Sequence, residues 1–230
     1  MIKYLIAALV CILPLSLFAS DKDLYDFLWL DQDKKVFVLQ NKLFEKKHTF
    51  YTDLGYTGSL SGDFQDTSGF KLYAGYYLTE EFALELVYGQ YSNSENAAYK
   101  NVLLVSGIEP FIRRPVSMTS IFLNWAPFYG KINTFNKIFY FDFIMGIGSG
   151  IYKMESNLDN VDQPSVFSTY STESYTPLHL RAEFKFHANK RIHLGAEFMS
   201  TFIQAETPKS APSKKLQQFN EFSLKVGISF

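Results

Sequence analysis

From His179 to Phe186 the chain reads HLRAEFKF. The odd positions His179, Arg181, Glu183 and Lys185 are polar or ionic, and the even positions Leu180, Ala182, Phe184 and Phe186 are apolar. Successive side chains of a strand point to opposite faces of its sheet, so a period of two predicts an extended strand. One face is greasy and the other ionic. Which of them meets water decides where the protein resides.

The pattern recurs along the chain. GFKLYAGYYL from Gly69 sets Phe70, Leu72, Ala74, Tyr76 and Leu78 against Lys71, Tyr73, Gly75 and Tyr77. FALELVYG sets Phe82, Leu84, Leu86 and Tyr88 against Ala83, Glu85, Val87 and Gly89. In IFYFDFIMGIGSG the row Phe139, Phe141, Phe143, Met145, Ile147 opposes Tyr140, Asp142, Gly146 and Gly148. RIHLGAEFMSTF places Ile192, Leu194, Ala196, Phe198 and Phe202 opposite His193, Gly195, Glu197 and Thr201. NEFSLKVGISF places Phe222, Leu224, Val226, Ile228 and Phe230 opposite Glu221, Ser223, Lys225, Gly227 and Ser229. Weaker candidates at about 48–57 and 116–126 bring the predicted strands to eight. Short connections at Thr79–Glu81 and Ala188–Lys190 alternate with long polar ones at about 58–68, 90–115, 153–174 and 204–215. Pro127 to Lys137 is predicted as a turn of intermediate length. Short turns on one side and long loops on the other are the habit of membrane β-barrels.

The chain opens MIKYLIAALVCILPLSLFAS: a basic Lys3, a short apolar core and a small-residue pair at Ala19-Ser20. This layout predicts a secretory signal peptide over 1–20. It contains the only cysteine, Cys11, so the mature protein is expected to lack thiol chemistry. Residues 21–47 are expected to form a periplasmic N-terminal segment with one alternating patch, VFVLQNKLF, and 48–230 to form the barrel. The 22 basic and 23 acidic residues nearly balance, which leaves no basic stripe for nucleic acid and no acidic tract for disorder.

Alternation alone fits two architectures. A soluble barrel turns its apolar face inward, whereas a membrane barrel turns it to lipid and fills its lumen with the ionic face. Three features favour the membrane. Aromatics make up 17% of the chain and crowd predicted strand ends at Tyr76-Tyr77, Phe82, Tyr88, Phe128-Tyr129, Phe139, Tyr152, Tyr175 and Phe186, as interfacial girdles do. Gly75, Gly146, Gly148, Gly195 and Gly227 lie on the ionic face and suit a narrow lumen. The row Phe222, Leu224, Val226, Ile228, Phe230 resembles the C-terminal signature that hands outer-membrane proteins to their insertion machinery, and is expected to act as an assembly signal. The predicted fold is therefore an all-β, eight-stranded antiparallel transmembrane barrel in a bacterial outer membrane.

VLQNKLFEKKHTFYTDLGY, and APFYGK (Ala126 to Lys131) leading to GIGSG, resemble the outer-membrane β-barrel domain family of myxobacteria and bdellovibrio-type bacteria. The likeness runs from about Val36 to Phe230. It implies a small barrel in a Gram-negative envelope and carries no activity and no catalytic residue.

In such a barrel the chemistry belongs to the lumen. Lys71, Glu85, Asp142, His179, Arg181, Glu183, Lys185, His193, Glu197 and Lys225 are expected to face inward, with Asp53 and Glu221, as a structural network of paired charges. His179 and His193 lie on neighbouring predicted strands with Asp142 or Glu197 in reach, but the spacing gives no convergence on a metal, and no metal or cofactor is expected. GIGSG lacks the following helix of a nucleotide loop. A lipid-A-modifying site would need a nucleophile and acid beside His179, with Ser174, Thr176 and Glu173 the nearest in sequence; no motif supports it. Arg113-Arg114 is read as a solvated loop pair, with anionic lipid headgroups as the alternative contact. The predicted function is non-enzymatic, with surface loops serving envelope structure or interaction; a narrow solute conduit and a lipid-A enzyme are the alternatives. Expected partners are outer-membrane lipid including lipopolysaccharide and the barrel insertion machinery, with no nucleic acid and a monomeric state.

Overall fold

A computed structural model describes residues 44–134, 137–162, 170–208 and 214–230. The predicted signal peptide and most of the segment 21–47 lie outside the described residues. The elements are β1 (Phe50–Ser59), β2 (Gln65–Tyr77), β3 (Phe82–Glu95), α1 (Ala97–Ser106), β4 (Arg113–Thr134), β5 (Lys137–Ser156), α2 (Leu158–Asp162), β6 (Ser171–Tyr175), β7 (Leu178–His187), β8 (Ile192–Glu206) and β9 (Lys214–Ser229).

Every pairing is antiparallel. The order β4-β3-β2-β1-β9-β8-β7-β5 closes through β4–β5. The β1–β9 seam runs from Tyr51↔Ser229 to Ser59↔Glu221, so the sheet has no edge where it crosses the membrane. β6 and β7 are one barrel strand: Tyr175 pairs with Tyr152 and Leu178 with Ser149 of the same β5, in continuous register across a break at Thr176-Pro177. Proline has no N–H to give the ladder; here the Pro177 carbonyl accepts the Ser149 hydroxyl at 2.7 Å instead. The chain is an eight-stranded antiparallel transmembrane β-barrel, as the alternation predicts.

The outward face is apolar over one band. Phe82, Leu84, Leu86 and Tyr88 of β3 are exposed, as are Leu180, Phe184 and Phe186 of β7 and Phe222, Leu224, Val226 and Ile228 of β9. Eight residue steps from Phe222 to Phe230 span about 26 Å of strand, or about 20 Å along a barrel axis at the usual tilt. That is close to the height of a lipid-facing band. Beyond it the polarity inverts. On β8 the outward residues Ser200, Gln204 and Glu206 are polar, with Phe202 among them, while the inward Met199, Ile203 and Ala205 are apolar and buried, with Thr201 among them. On β3 Tyr88 is followed outward by Gln90, Ser92 and Ser94. The inversion marks where the strands leave lipid and continue into water.

Several expectations change here. The stretches 58–68, 90–115, 153–174 and 204–215 begin and end in strand, because the barrel wall extends past the membrane; the outer connections begin only after Ser59, Glu95, Ser156 and Glu206. Pro127 to Lys137 is not a turn, since β4 continues to Thr134 and pairs there with Lys137. A register shift between Trp125 and Phe128 absorbs Pro127, as a bulge does. β4 loses its β3 partner beyond Trp125↔Phe82 and β5 its β7 partner beyond Tyr140↔His187, so the tip of the β4–β5 hairpin, Ile132–Thr134 with Lys137–Phe139, projects as a two-stranded tongue on the short-turn side. Tyr77 and Tyr152 are buried inside the barrel rather than in the girdle. Tyr175 lies half-buried against the inner cluster of the outer end. Arg113 and Arg114 open β4 and are both ion-paired, to Glu173 and Glu155, so they are not a solvated loop pair.

Candidate functional site: a filled lumen and an outer-mouth cleft

Inward parity places Lys71, Glu85, Asp142, His179, Arg181, Glu183, Lys185, His193, Glu197 and Lys225 in the interior, each at most 4% exposed. Strand order sorts them by depth, from the short-turn end outward.

At that end the chain before β1 crosses the mouth. The backbone N–H groups of Lys46 and Lys47 donate to the Glu80 carboxylate at 3.1 and 2.8 Å. Lys46 Nζ reaches Asp142 at 2.7 Å, and His187 Nε2 lies 2.7 Å from the other Asp142 oxygen. The Phe44 ring stacks on His187 with centroids 5.3 Å apart. One storey up, Asp53 takes His193 at 2.5 Å and Lys185 at 3.4 Å. The middle storey centres on Glu197, which faces Arg181 at 3.1 Å, Lys225 at 3.0 Å and Lys71 at 3.6 Å and accepts the Tyr73 hydroxyl at 3.0 Å. Arg181 also binds Glu85 at 2.6 Å, Lys225 binds Glu183 at 2.6 Å, and Lys71 binds Glu221 at 2.5 Å. Each cation has at least one carboxylate, which a low-dielectric interior demands. Glycine is required where the storeys press on the wall. A methyl group at Gly227 would overlap the Asp53 carboxylate, and one at Gly148 would overlap the Phe122 ring.

Above the charged storeys the lumen holds an apolar layer. Tyr73, Val87, Tyr91, Met118, Phe122, Tyr152, Met154, Met199, Ile203 and Ala205 form one buried cluster. His179 is embedded beside it: Nε2 lies 3.0 Å from the Ser120 hydroxyl and Nδ1 2.8 Å from Thr201. Its neighbours are therefore not Ser174, Thr176 or Glu173. Glu173 is bound instead to Arg113, Tyr175 and Ser156, so no nucleophile–base–acid array forms around His179. Among the described residues no group of three His, Cys, Asp or Glu side chains converges as a metal site.

Arg113 closes the top. Its guanidinium binds Glu173 of β6 at 2.8 Å, Gln217 of β9 at 3.0 Å and the carbonyl of Glu206 on β8 at 3.0 Å, so one side chain ties four strands. Burial raises the Glu173 carboxyl, but hydrogen bonds from Arg113, Tyr175 and Ser156 outweigh it, and the net pKa falls below the ordinary value of 4.5. A folded pKa below the unfolded one means stabilisation that is present above about pH 4.5 and lost as pH falls through the folded value. The stability gap between wild type and Glu173→Gln is accordingly expected to narrow on acidification below that pH, read from denaturation midpoints; a gap independent of pH refutes the assignment.

The outer connections are braced. Asn157 Oδ1 accepts the Ile112 N–H at 2.7 Å, its Nδ2 donates to the Pro110 carbonyl at 2.9 Å, and Glu109 binds both Tyr99 and Asn160. The Asn96 side chain caps α1 through the Tyr99 N–H, and Gly107 ends it at φ 64°. Its Leu104 and Val105 are 84% and 89% exposed, which gives α1 an apolar exposed surface outside the lipid band. Above Arg113 opens a cleft of about 520 Å³ between the β1–β2 connection, the residues leading into β4 and the start of β9. Beneath it lies a void of about 10 Å³ between Tyr91, Tyr152, Phe219 and Glu221, about the room one water needs. The charged storeys were readable from parity. The apolar storey, the Arg113 lock and the cleft were not, although the inverted polarity of β8 announces the first.

A closed barrel with an apolar exterior, a polar packed interior and short turns at one end defines an outer-membrane β-barrel protein. It belongs to the bacterial outer membrane. No family model and no curated protein matches the sequence. Among solved structures, the chain is similar to the N-terminal β-barrel domain of Pseudomonas aeruginosa OprF, at 12% identity and TM-score 0.46 over 80% of this chain and 98% of that one. It is also similar to OprG from the same organism (15%, TM-score 0.42, 81% and 98% covered). A third is Ail, the attachment invasion locus protein of Yersinia pestis (14%, TM-score 0.40, 80% and 99% covered). At these TM-scores the likenesses add nothing to the barrel that strand pairing already establishes.

Proposed function

We propose that this barrel is non-conducting and non-enzymatic, and that it serves envelope structure or interaction through its outer end. The observation that carries the reading is that the lumen is filled at every depth. Lys185, Tyr51, Lys71, Tyr73, Phe122 and Met199 are all essentially inaccessible. An eight-stranded barrel is just wide enough for its own side chains. A conduit would have to displace both the ion pairs around Glu197 and the cluster around Phe122. The braced outer connections and exposed α1 support interaction at the outer face, with lipopolysaccharide headgroups as adjacent partners and the protein acting as a monomer. The narrower family likeness, to the barrels of myxobacteria and bdellovibrio-type bacteria, gains a physical reading at one motif: APFYGK straddles the bulge that releases the β4–β5 tongue.

The test is planar-bilayer recording of the refolded full chain. No unitary conductance is expected at any voltage that the bilayer tolerates; reproducible single-channel steps would return the conduit. Mass spectrometry of lipid A from cells with and without the protein is expected to show no difference, and a shifted lipid A species would return the enzyme.

A further inference from the structure

We propose that the outer-mouth cleft is a binding site for a neutral saccharide. This rests on the reading that the outer end, not the lumen, is the working part. The cleft has the volume of a small-molecule site, and two of its amides are half-used in complementary ways. Gln65 is 8% exposed; its Nε2 donates to the Arg113 carbonyl, while its Oε1 is buried without a hydrogen-bond partner among the described residues. Gln217 gives its Oε1 to the Arg113 guanidinium, which leaves its NH₂ group to donate. The cleft thus offers a buried acceptor and a donor on either side of one arginine. A hydroxyl group both donates and accepts.

The rest of the lining selects among hydroxyl-bearing molecules. Phe64, Phe111 and Phe219 reach the cleft from three separate elements and are half-buried. Their faces suit the C–H face of a pyranose ring, which is apolar while its rim is hydroxylated. A wholly apolar guest would leave the buried Gln65 Oε1 without the hydrogen bond it lacks, whereas a hydroxyl supplies one. An anionic guest finds no unspent cation, because Arg113 is held by Glu173 and the neighbouring ionic side chain in the lining is the Asp63 carboxylate. A neutral ring with a hydroxyl rim is what remains.

The test is saturation-transfer NMR on the full chain in lauryldimethylamine oxide micelles, a detergent without sugar, with maltotriose, cellotriose and triacetylchitotriose, all uncharged, as probes. Transfer is expected to at least one of them. Gln65→Leu and Phe111→Leu are each expected to weaken its apparent affinity about tenfold, and Gln204→Ala on the outer wall of β8 to leave it unchanged. Retention of the heat-dependent gel shift establishes that each variant is folded. Should Gln65→Leu fail to fold, Phe111→Leu decides alone. No transfer to any of the three sugars, or transfer undiminished in the folded cleft variants, overturns the proposal. Bilayer recording of the same preparation separates the two failures. Silent membranes without sugar binding reject only the saccharide site, whereas conducting ones reject the function on which it rests.

Discussion

Replacing Glu197 with alanine is expected to destabilise the barrel by about 3–5 kcal/mol, the cost of removing one partner from a buried ion-pair network. Glu197 is wholly buried and faces Arg181, Lys225 and Lys71 within 3.6 Å. Each of those cations keeps one carboxylate, Glu85, Glu183 or Glu221, so removal strips all three of a shared partner without orphaning any of them. Glu197→Gln should cost less, since it retains the volume and an acceptor for the Tyr73 hydroxyl. Adding Lys225→Ala to Glu197→Ala removes both partners of the 3.0 Å pair and should give a double-mutant cycle with coupling above about 1 kcal/mol. Glu206→Ala is the reference: its pair with Lys214 spans 3.9 Å with both side chains about two-thirds exposed, and such pairs contribute at most about 1 kcal/mol. Urea midpoints in lipid vesicles give the comparison. A Glu197→Ala loss no larger than that of Glu206→Ala would mean that the lumen is hydrated and the filled-interior reading is wrong.

Most of the wall was legible because a strand in lipid has a simple grammar. Wherever one face meets hydrocarbon and the other a cramped polar interior, residue type tends to alternate, as it does throughout HLRAEFKF. The same grammar misleads where the environment changes along a strand. Above the lipid, the outward face of β8 turns polar and the inward face apolar, so Met199 and Ile203 continue the strand while the expected pattern stops. A reader following greasy-outward rows therefore ends the strands early and assigns 90–95 and 204–206 to loops. Proline misleads in the other direction. Pro127 has the look of a turn, but a bulge accommodates it and β4 continues. Tyr77, Tyr152 and Tyr175 were drawn to the girdle by residue type, though parity places Tyr77 with Lys71 and Tyr152 with Asp142. Parity was the better guide. The outer-mouth cleft is assembled from Gln65, Phe111 and Gln217, whose proximity depends on ring closure and on loop bracing, neither of which any local pattern encodes.

Arginine in place of Val226 is expected to cost about 2–4 kcal/mol, the penalty for a cation at the depth of the bilayer midplane. Val226 is the middle of the outward row Phe222, Leu224, Val226, Ile228, Phe230, pairs with Leu54 on one side and Leu194 on the other, and is half exposed. In a water-soluble barrel that exposure would make arginine harmless, because surface substitutions rarely exceed about 0.5 kcal/mol. Gln218→Arg lies on the same strand and the same face but beyond the inversion of polarity, where the cost should fall to about 0–1 kcal/mol. The two variants carry the same side chain on the same sheet, so strand propensity and charge cancel between them and depth in the membrane remains. Folding yields into lipid vesicles and urea midpoints measure both. A steep difference fixes the level at which β9 leaves the hydrocarbon, between Phe222 and Gln218. Equal costs at the two positions would remove the lipid from the exterior, and the ionic lumen would then lose its reason for being on the inside.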